Sequence, residues 1–489
     1  MPVPNLPQGY DAIVSTSPYT MLVYRNIHDV LIDRENDVYI NKLAESWSTP
    51  TPTMLSVKLR DNLYFSDGTQ ITANDVKKTY EWILDKPSTP FYDIVPIDSI
   101  ITHGNYLNIY SSREISLQGG FISLTGILKA EDIEKGEDYL NQNPIASGVY
   151  YVHFKNDEKV ILKKNIYHRD FQSNKKAPDI VELILVPKLE NRYEMLLNDE
   201  VDFLENLYIG KYDEVLATKK YQILEKDSNL VMYLMLNATS ERIPSIRANS
   251  ALSEGGEIDN PLRDKRVRQA IAHIIDVRSF ITNDMHSKAY PIILPALRHL
   301  YGYPTEKECY EYDLELSKSL MEKAGYSEGF EIDLHCTNSR ISRPLAFFIK
   351  QCLEDINIIV NIEYIENNAI RTRDTSRAMI LSSMNIRSNF TLGYTLNNRY
   401  RYRHNPNYPR GENIFGNYNP RINELLDQIT TTSIDISELS GLYKELTDII
   451  IDETFIVPII NPFNIYAVSK KFTYTHRPYL KFTDFSVVK

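Results

Sequence analysis

Apolar and polar positions alternate from Met54 to Leu59: Leu55, Val57 and Leu59 fall on one side, Ser56 and Lys58 on the other. A period of two predicts a strand with one buried face. Just upstream, Leu43-Ala44-Glu45-Ser46-Trp47 reads as the end of a short helical piece. Downstream, Asp67-Gly68 breaks the chain in a turn. Thr72 and Asp75 then open a helix whose inward positions are Val76, Thr79, Tyr80 and Ile83.

The same two periodicities recur along the chain. Tyr19–Ile32 predicts a helix running into a strand, with Met21, Leu22, Tyr24, Ile27 and Leu31 apolar. Strands are predicted near Ile97–Ile101, Tyr106–Tyr110, Tyr150–Phe154, Val160–Lys163 and Met232–Asn237, and Val181–Val186 is apolar enough for a buried one. Val267, Ala270, Ile271, Ile274 and Ile275 make one stripe at helical spacing. Leu314–Gly325, Phe330–His335, Leu345–Ile356 and Ile358–Ile365 then read helix, strand, helix, strand, an α/β pattern. The acidic run from Glu131 to Asp138 reads as a solvated helix face, and Asn198-Asp199 as a turn in which asparagine tolerates the left-handed conformation. Between Asn398 and His404 arginine alternates with tyrosine. Extended, that stretch would put Arg399, Arg401 and Arg403 on one face.

The 489 residues are enough for two or three lobes, and 43% hydrophobic with 24% charged residues is ordinary for a globular chain. A net charge of −11 argues against general nucleic-acid binding. The three cysteines, Cys309, Cys336 and Cys352, form no Cys-x-x-Cys. Cys336 and Cys352 are read either as a disulfide or as buried thiols. Signatures of nucleophilic hydrolases, P-loops, HExxH metalloproteases and EF-hands are absent, and the ten histidines are scattered. No catalytic residue, metal ligand or cofactor is expected.

The order Leu43–Trp47, Leu59-Arg60, Phe65, Asp67-Gly68, Thr72-Ala73, Asp75-Val76 resembles the peptide- and nickel-type substrate-binding proteins of ABC importers. Further blocks extend the likeness: Asn143–Tyr150 with Gly148, Leu262–Asp276, Phe415–Leu426 and Ile456–Ile460. The resemblance implies an α/β, two-lobed periplasmic-binding-protein-like fold of the large, three-subdomain variety with hinged lobes. Residues 1–47 and 144–236 would form the core of lobe I, 48–143 its extra subdomain, 237–460 lobe II and 461–489 the return, with a hinge near Asn237. At the N-terminus, Asn5-Leu6-Pro7 stands where the family turns, so the strand before it is expected to be missing or replaced.

The function implied is capture of a solute between two lobes, a peptide or peptide-like molecule, and delivery to the transmembrane subunits of an ABC permease. A non-peptide ligand (an oligosaccharide, a nickel chelate, an anionic molecule) is the first alternative, and a cytosolic sensor the second. The family setting is periplasmic or cell-surface, with the export signal removed, no membrane contact except through a permease or lipid anchor, and a monomer. Candidate ligand contacts are Tyr24, Asn26 and Ser147 near one end, and Arg387, Asn389, Phe390, Tyr394, Arg399 and Arg401 near the other. Family members that bind peptides place an aspartate in this second region to hold the peptide ammonium, and Met384–Tyr394 has none. An anionic or carboxylate-bearing ligand would suit an arginine face better. Arg266 and Arg268 are read as structural or surface arginines.

Overall fold

The computed structural model describes residues 1–7, 9–10, 18–35, 38–85, 97–112, 115, 125–250, 256–307, 310–366, 374, 376–386, 391–401, 419–430, 436–475 and 480–488. They form two compact units, Met1–Lys226 with Asn464–Lys489, and Asp227–Phe463. Among the described residues no helix is long and apolar enough to cross a membrane.

The first unit holds two four-stranded sheets. In one, Met54–Leu59 is flanked by Ala44–Thr51 and Tyr106–Ser111, and Ile97–His103 completes the antiparallel order. Leu55, Val57 and Leu59 are buried, as the alternation requires. The segment expected to end a helix, Leu43–Trp47, is instead largely strand: Ala44 pairs with Leu59 and Trp47 with Val57. So short a piece cannot nucleate a helix alone, whereas the adjacent hairpin partner offers its backbone bonds at once. The helix Ala73–Leu84 starts where Thr72 predicts, and the Asp75 carboxylate accepts from the Thr72 N–H at 2.8 Å. The first motif is stitched to the second: Ser66 N–H donates to the Ala146 carbonyl, and Ala146 N–H to Ser66 Oγ.

The other sheet runs Pro2–Val3, Ile180–Leu185, Lys159–Lys164, Tyr150–Lys155. An N-terminal strand is therefore present, paired parallel with Ile180–Leu185, contrary to expectation. Only Leu183 of that partner is fully buried, because the strand presents a single inward side. Asp132, read as part of a solvated face, is buried and paired with Lys135 at 2.9 Å. The left-handed residue at the helix end is Asp199, φ 62°, and not Asn198, φ −77°.

The second unit is built on a mixed sheet around Leu230–Leu236, which pairs with Met379–Asn385 on one side and with the first part of Ile456–Ser469 on the other. Phe330–Cys336 joins Met379–Asn385 in parallel, with Ile358–Tyr364 and Ile246–Ala248 beyond. Alternate residues of the central strand feed two separate cores. Met232, Leu234 and Leu236 pack with the helices Lys265–Ile274, Val277–Asn283 and Ser342–Glu354. Val231, Tyr233 and Met235 pack with Leu392–Tyr400, Pro420–Thr430 and Ile436–Glu453. Helices cover both faces, which is why this strand reads as nearly continuous apolar sequence.

Asn237 lies wholly inside the second unit: it bonds to Ala378 and Arg377, and its carbonyl accepts from Asn260. The contacts divide at Lys226/Asp227 and Phe463/Asn464, since Leu230–Leu236 belongs to the second unit's sheet. Cys336 and Cys352 are both free and buried, and burial raises each thiol to about 11. Cys309 lies outside the described residues.

Candidate functional site

The three early candidates, Tyr24, Asn26 and Ser147, are brought together at the end of the helix Pro18–Ile27. All three are buried. The Tyr24 hydroxyl accepts from Gly126 N–H at 2.6 Å. Asn26 Oδ1 accepts from Phe482 N–H at 2.8 Å, and its amide donates to the Leu22 and Leu480 carbonyls. Ser147 Oγ donates to the Ile127 carbonyl at 2.8 Å and accepts from Asp29 N–H at 3.1 Å. These are bonds from side chain to main chain that lash remote segments to one turn, and they use the polar atoms that would otherwise reach a solute.

Gly148 explains how the segments approach so closely. Its N–H donates to the Ile27 carbonyl at 2.8 Å, and an added Cβ would meet the Ile27 carbonyl carbon at 2.8 Å and His28 N at 2.9 Å. Glycine is required here by proximity of backbone to backbone. Beside it, burial would raise the Asp29 carboxyl. The hydrogen bond from His168 at 3.0 Å, with the charges of His168, Lys42 and Arg169, outweighs that and holds it below the usual range. Burial also drives His28 down to about 4, against the Tyr10 carbonyl and Asp29, so the imidazole is neutral.

In the second unit the described part of the arginine–tyrosine stretch, Asn398–Arg401, does not form a strand. Leu392–Tyr400 is helical, capped by Thr391 Oγ1 accepting from Tyr394 N–H at 3.0 Å, and Arg401 is its C-cap. Arg399 and Arg401 therefore do not share a strand face, because Arg399 lies on the helix and Arg401 follows its end. Arg399 is buried, with its guanidinium 5.3 Å from the centre of the Tyr233 ring and against the Met384 sulfur. Arg401 pairs with Asp427 at 2.7 Å. Tyr394 is half-buried. Arg387, Asn389, Phe390 and Arg403 lie outside the described residues. Arg266 and Arg268 are structural: the first chelates Asp264, the second is buried against the Leu262, Arg263 and Glu453 carbonyls.

One group escaped the sequence reading. Glu205 follows the short strand Phe203–Leu204, whose Leu204 pairs with Ala467. Phe203 stacks on Tyr466 at 5.6 Å, and Tyr474 lies 6.1 Å from both rings. Glu205 is partly buried beside this cluster, and burial raises its carboxyl to about 7. The only sequence signal was phase: a period of two from Phe203 puts Glu205 on the same side as that aromatic residue.

Residues 38–408 match the bacterial extracellular solute-binding proteins, family 5. A nickel-binding protein of Staphylococcus aureus, NikA, is 22% identical over 417 residues, covering 83% of this chain and 76% of that protein. The probable D,D-dipeptide-binding periplasmic protein DdpA of Escherichia coli is 20% identical over 439 residues, covering 88% and 80%. Among solved structures, the ABC transporter substrate-binding protein CtaP of Listeria monocytogenes shares the fold with a TM-score of 0.83 at 18% identity, over 100% of this chain and 98% of that one. The expected α/β fold class of the large periplasmic-binding-protein type is thus the fold found, and the chain belongs to the family 5 solute-binding proteins, the peptide- and nickel-type substrate-binding components of ABC importers.

Proposed function

We propose that this chain captures a peptide or peptide-like solute outside the cytoplasm and delivers it to the transmembrane subunits of an ABC permease. The observation that carries the reading is the unbroken extent of the likeness, since residues 38–408 match the family and the dipeptide-binding relative aligns over 88% of the chain. The chain passes between its two compact units at Lys226/Asp227 and at Phe463/Asn464. The preference for an anionic ligand rested on an extended arginine face. With Arg399 in a helix and Arg401 engaged by Asp427, that preference loses its support and the peptide reading gains.

A nickel chelate is the second reading, supported by the alignment with NikA over 83% of the chain. Among the described residues no three histidine, cysteine, aspartate or glutamate side chains converge, so a metal would arrive inside its own organic chelate. Thermal unfolding of the purified chain with di- to pentapeptides, nickel–histidine, haem and oligosaccharides tests both. A solute that binds only the folded form raises the melting temperature. A rise with peptides is expected; a rise confined to nickel–histidine, haem or a sugar would overturn the peptide reading.

A further inference from the structure

Two helices of the second unit carry charges set against their own dipoles. Asp284 is the C-cap of Val277–Asn283, where the helix end is partially negative, and Arg343 stands in the first turn of Ser342–Glu354, where it is partially positive. Among the described residues neither the Asp284 carboxylate nor the Arg343 guanidinium makes an ion pair or a hydrogen bond. Both line one cavity of about 410 Å³, together with Pro344, Phe347, Phe348 and Gln351. Arg343, Phe347 and Gln351 recur every four residues and form one row along the helix. Phe348 is anchored by Phe280, whose ring centre lies 5.2 Å away, while Phe347 is left 48% exposed. The turn after Asp284 is strained, because His286 and Ser287 both take left-handed φ, 47° and 61°, without being glycine.

Folding alone does not call for this grouping. Each charge would be more favourable at the opposite end of its helix, and a phenylalanine ring gains by burial. A small molecule bearing an anion, a cation and an apolar group would satisfy all three features at once. We infer that this cavity binds a free amino acid with an apolar side chain, as a second site beside the capture of the transported solute. Arg343 offers its planar fork of N–H donors to the carboxylate, Asp284 accepts from the ammonium, and the apolar side chain covers Phe347. The volume lies in the range of small-molecule sites. All six lining residues belong to the second unit, and the inference holds whichever solute the chain captures.

The test is isothermal titration of the full chain with L-phenylalanine and L-leucine, and with the N-acetylated and the C-amidated form of each. Wild type should bind the free amino acids and lose about tenfold or more with either blocked form. Arg343→Gln should erase the preference for a free carboxylate, and Asp284→Asn the preference for a free ammonium. Phe347→Ala should weaken binding by about fivefold or more. All three side chains are exposed, so the variants are expected to fold, and their melting temperatures are the control. The variants should also keep wild-type affinity for whichever peptide, nickel–histidine, haem or oligosaccharide the chain captures, so failure of the peptide reading leaves this result standing. Wild type binding neither amino acid would overturn the inference, as would variants that bind both like wild type or that lose the captured solute. Association with permease subunits that depends on Phe347, without amino-acid binding, would overturn it in favour of a protein-docking face.

Discussion

Arg268 ties the start of one helix to the end of another through Glu453. Its Nε donates to the Glu453 carbonyl at 2.8 Å, and its Nη2 lies 3.4 Å from the Glu453 carboxylate. The same guanidinium donates to the Leu262 and Arg263 carbonyls and lies 4.5 Å from the centre of the Phe455 ring. Burial pulls its pKa down to about 10, against Glu453 and Asp264, so it is charged at neutral pH. Lysine cannot reproduce a planar fork aimed at three carbonyls. Arg268→Lys is expected to destabilise the second unit by about 2–4 kcal/mol, since carbonyls and a carboxylate lose their donors inside the protein. A drop in the urea midpoint with an unchanged slope checks it; an unchanged midpoint would contradict the bonding described.

Gly148 is the second place where a single atom decides. A methyl group there must displace the backbone of Ile27 and His28, since two of its three nearest atoms would lie under 3.0 Å and all three belong to the main chain. Neither neighbour can rotate away, as a flexible side chain would. Gly148→Ala should cost roughly 2–4 kcal/mol through strain and the lost Ile27 bond. The melting temperature should fall accordingly. Gly136→Ala is a control for the left-handed conformation alone, because φ is 92° there and nothing lies within 4 Å of the added carbon.

Much of this architecture was legible from sequence because one periodicity dominated each segment. Leu55/Val57/Leu59 and the stripe Val267/Ala270/Ile271/Ile274 are buried where their spacing places them. Failures arose where tertiary partners outvoted local pattern. Leu43–Trp47 carries helix-forming residues yet joins a ladder because Met54–Leu59 is already there to receive it. Asn398–Tyr400 alternates like a strand yet winds as a helix, because Leu392, Leu396 and Tyr400 at helical spacing fill a core. Asp132 was read as solvated because a charge run carries no record of the Lys135 bond that lets one member be buried. Glu205 was invisible for a related reason: a lone acid announces nothing until Tyr466, far away in the chain, is seen opposite it.

Tyr24 distinguishes a frame residue from a ligand contact. Its hydroxyl is the acceptor for the buried Gly126 N–H. Tyr24→Phe keeps the ring, which lies 5.0 Å from His28, and removes only the oxygen. The stranded N–H should cost about 1–3 kcal/mol of stability. If Tyr24 frames the turn, solute affinity measured well below the melting temperature stays within about twofold, a difference of roughly 0.4 kcal/mol. A loss of affinity without a loss of stability would make it a direct contact.

Two groups of the first unit work against each other as pH changes. His28 titrates near 4 when folded against an ordinary 6.5, so the unfolded chain holds more protons over that window and acidification removes stability. Glu205 titrates near 7 against an ordinary 4.5, so the folded chain holds more protons and stability falls as pH rises through that window. The groups around Glu205 do not blur the effect, because burial pushes the phenols of Tyr19, Tyr466 and Tyr474 far above neutrality. Arg192 and Asp484 are the other charges that act on Tyr19 and Tyr474. Each linkage spans at most about 3 kcal/mol, so in the wild type they largely cancel between pH 4.5 and 6.5. Glu205→Gln should therefore unmask the histidine: its stability, read from urea midpoints, should climb from pH 4.5 to 6.5 more steeply than wild type. His28→Gln should do the reverse and weaken as pH rises. Parallel curves for wild type and Glu205→Gln would mean that Glu205 ionises as an ordinary surface carboxylate, and the burial of its carboxyl would be wrong.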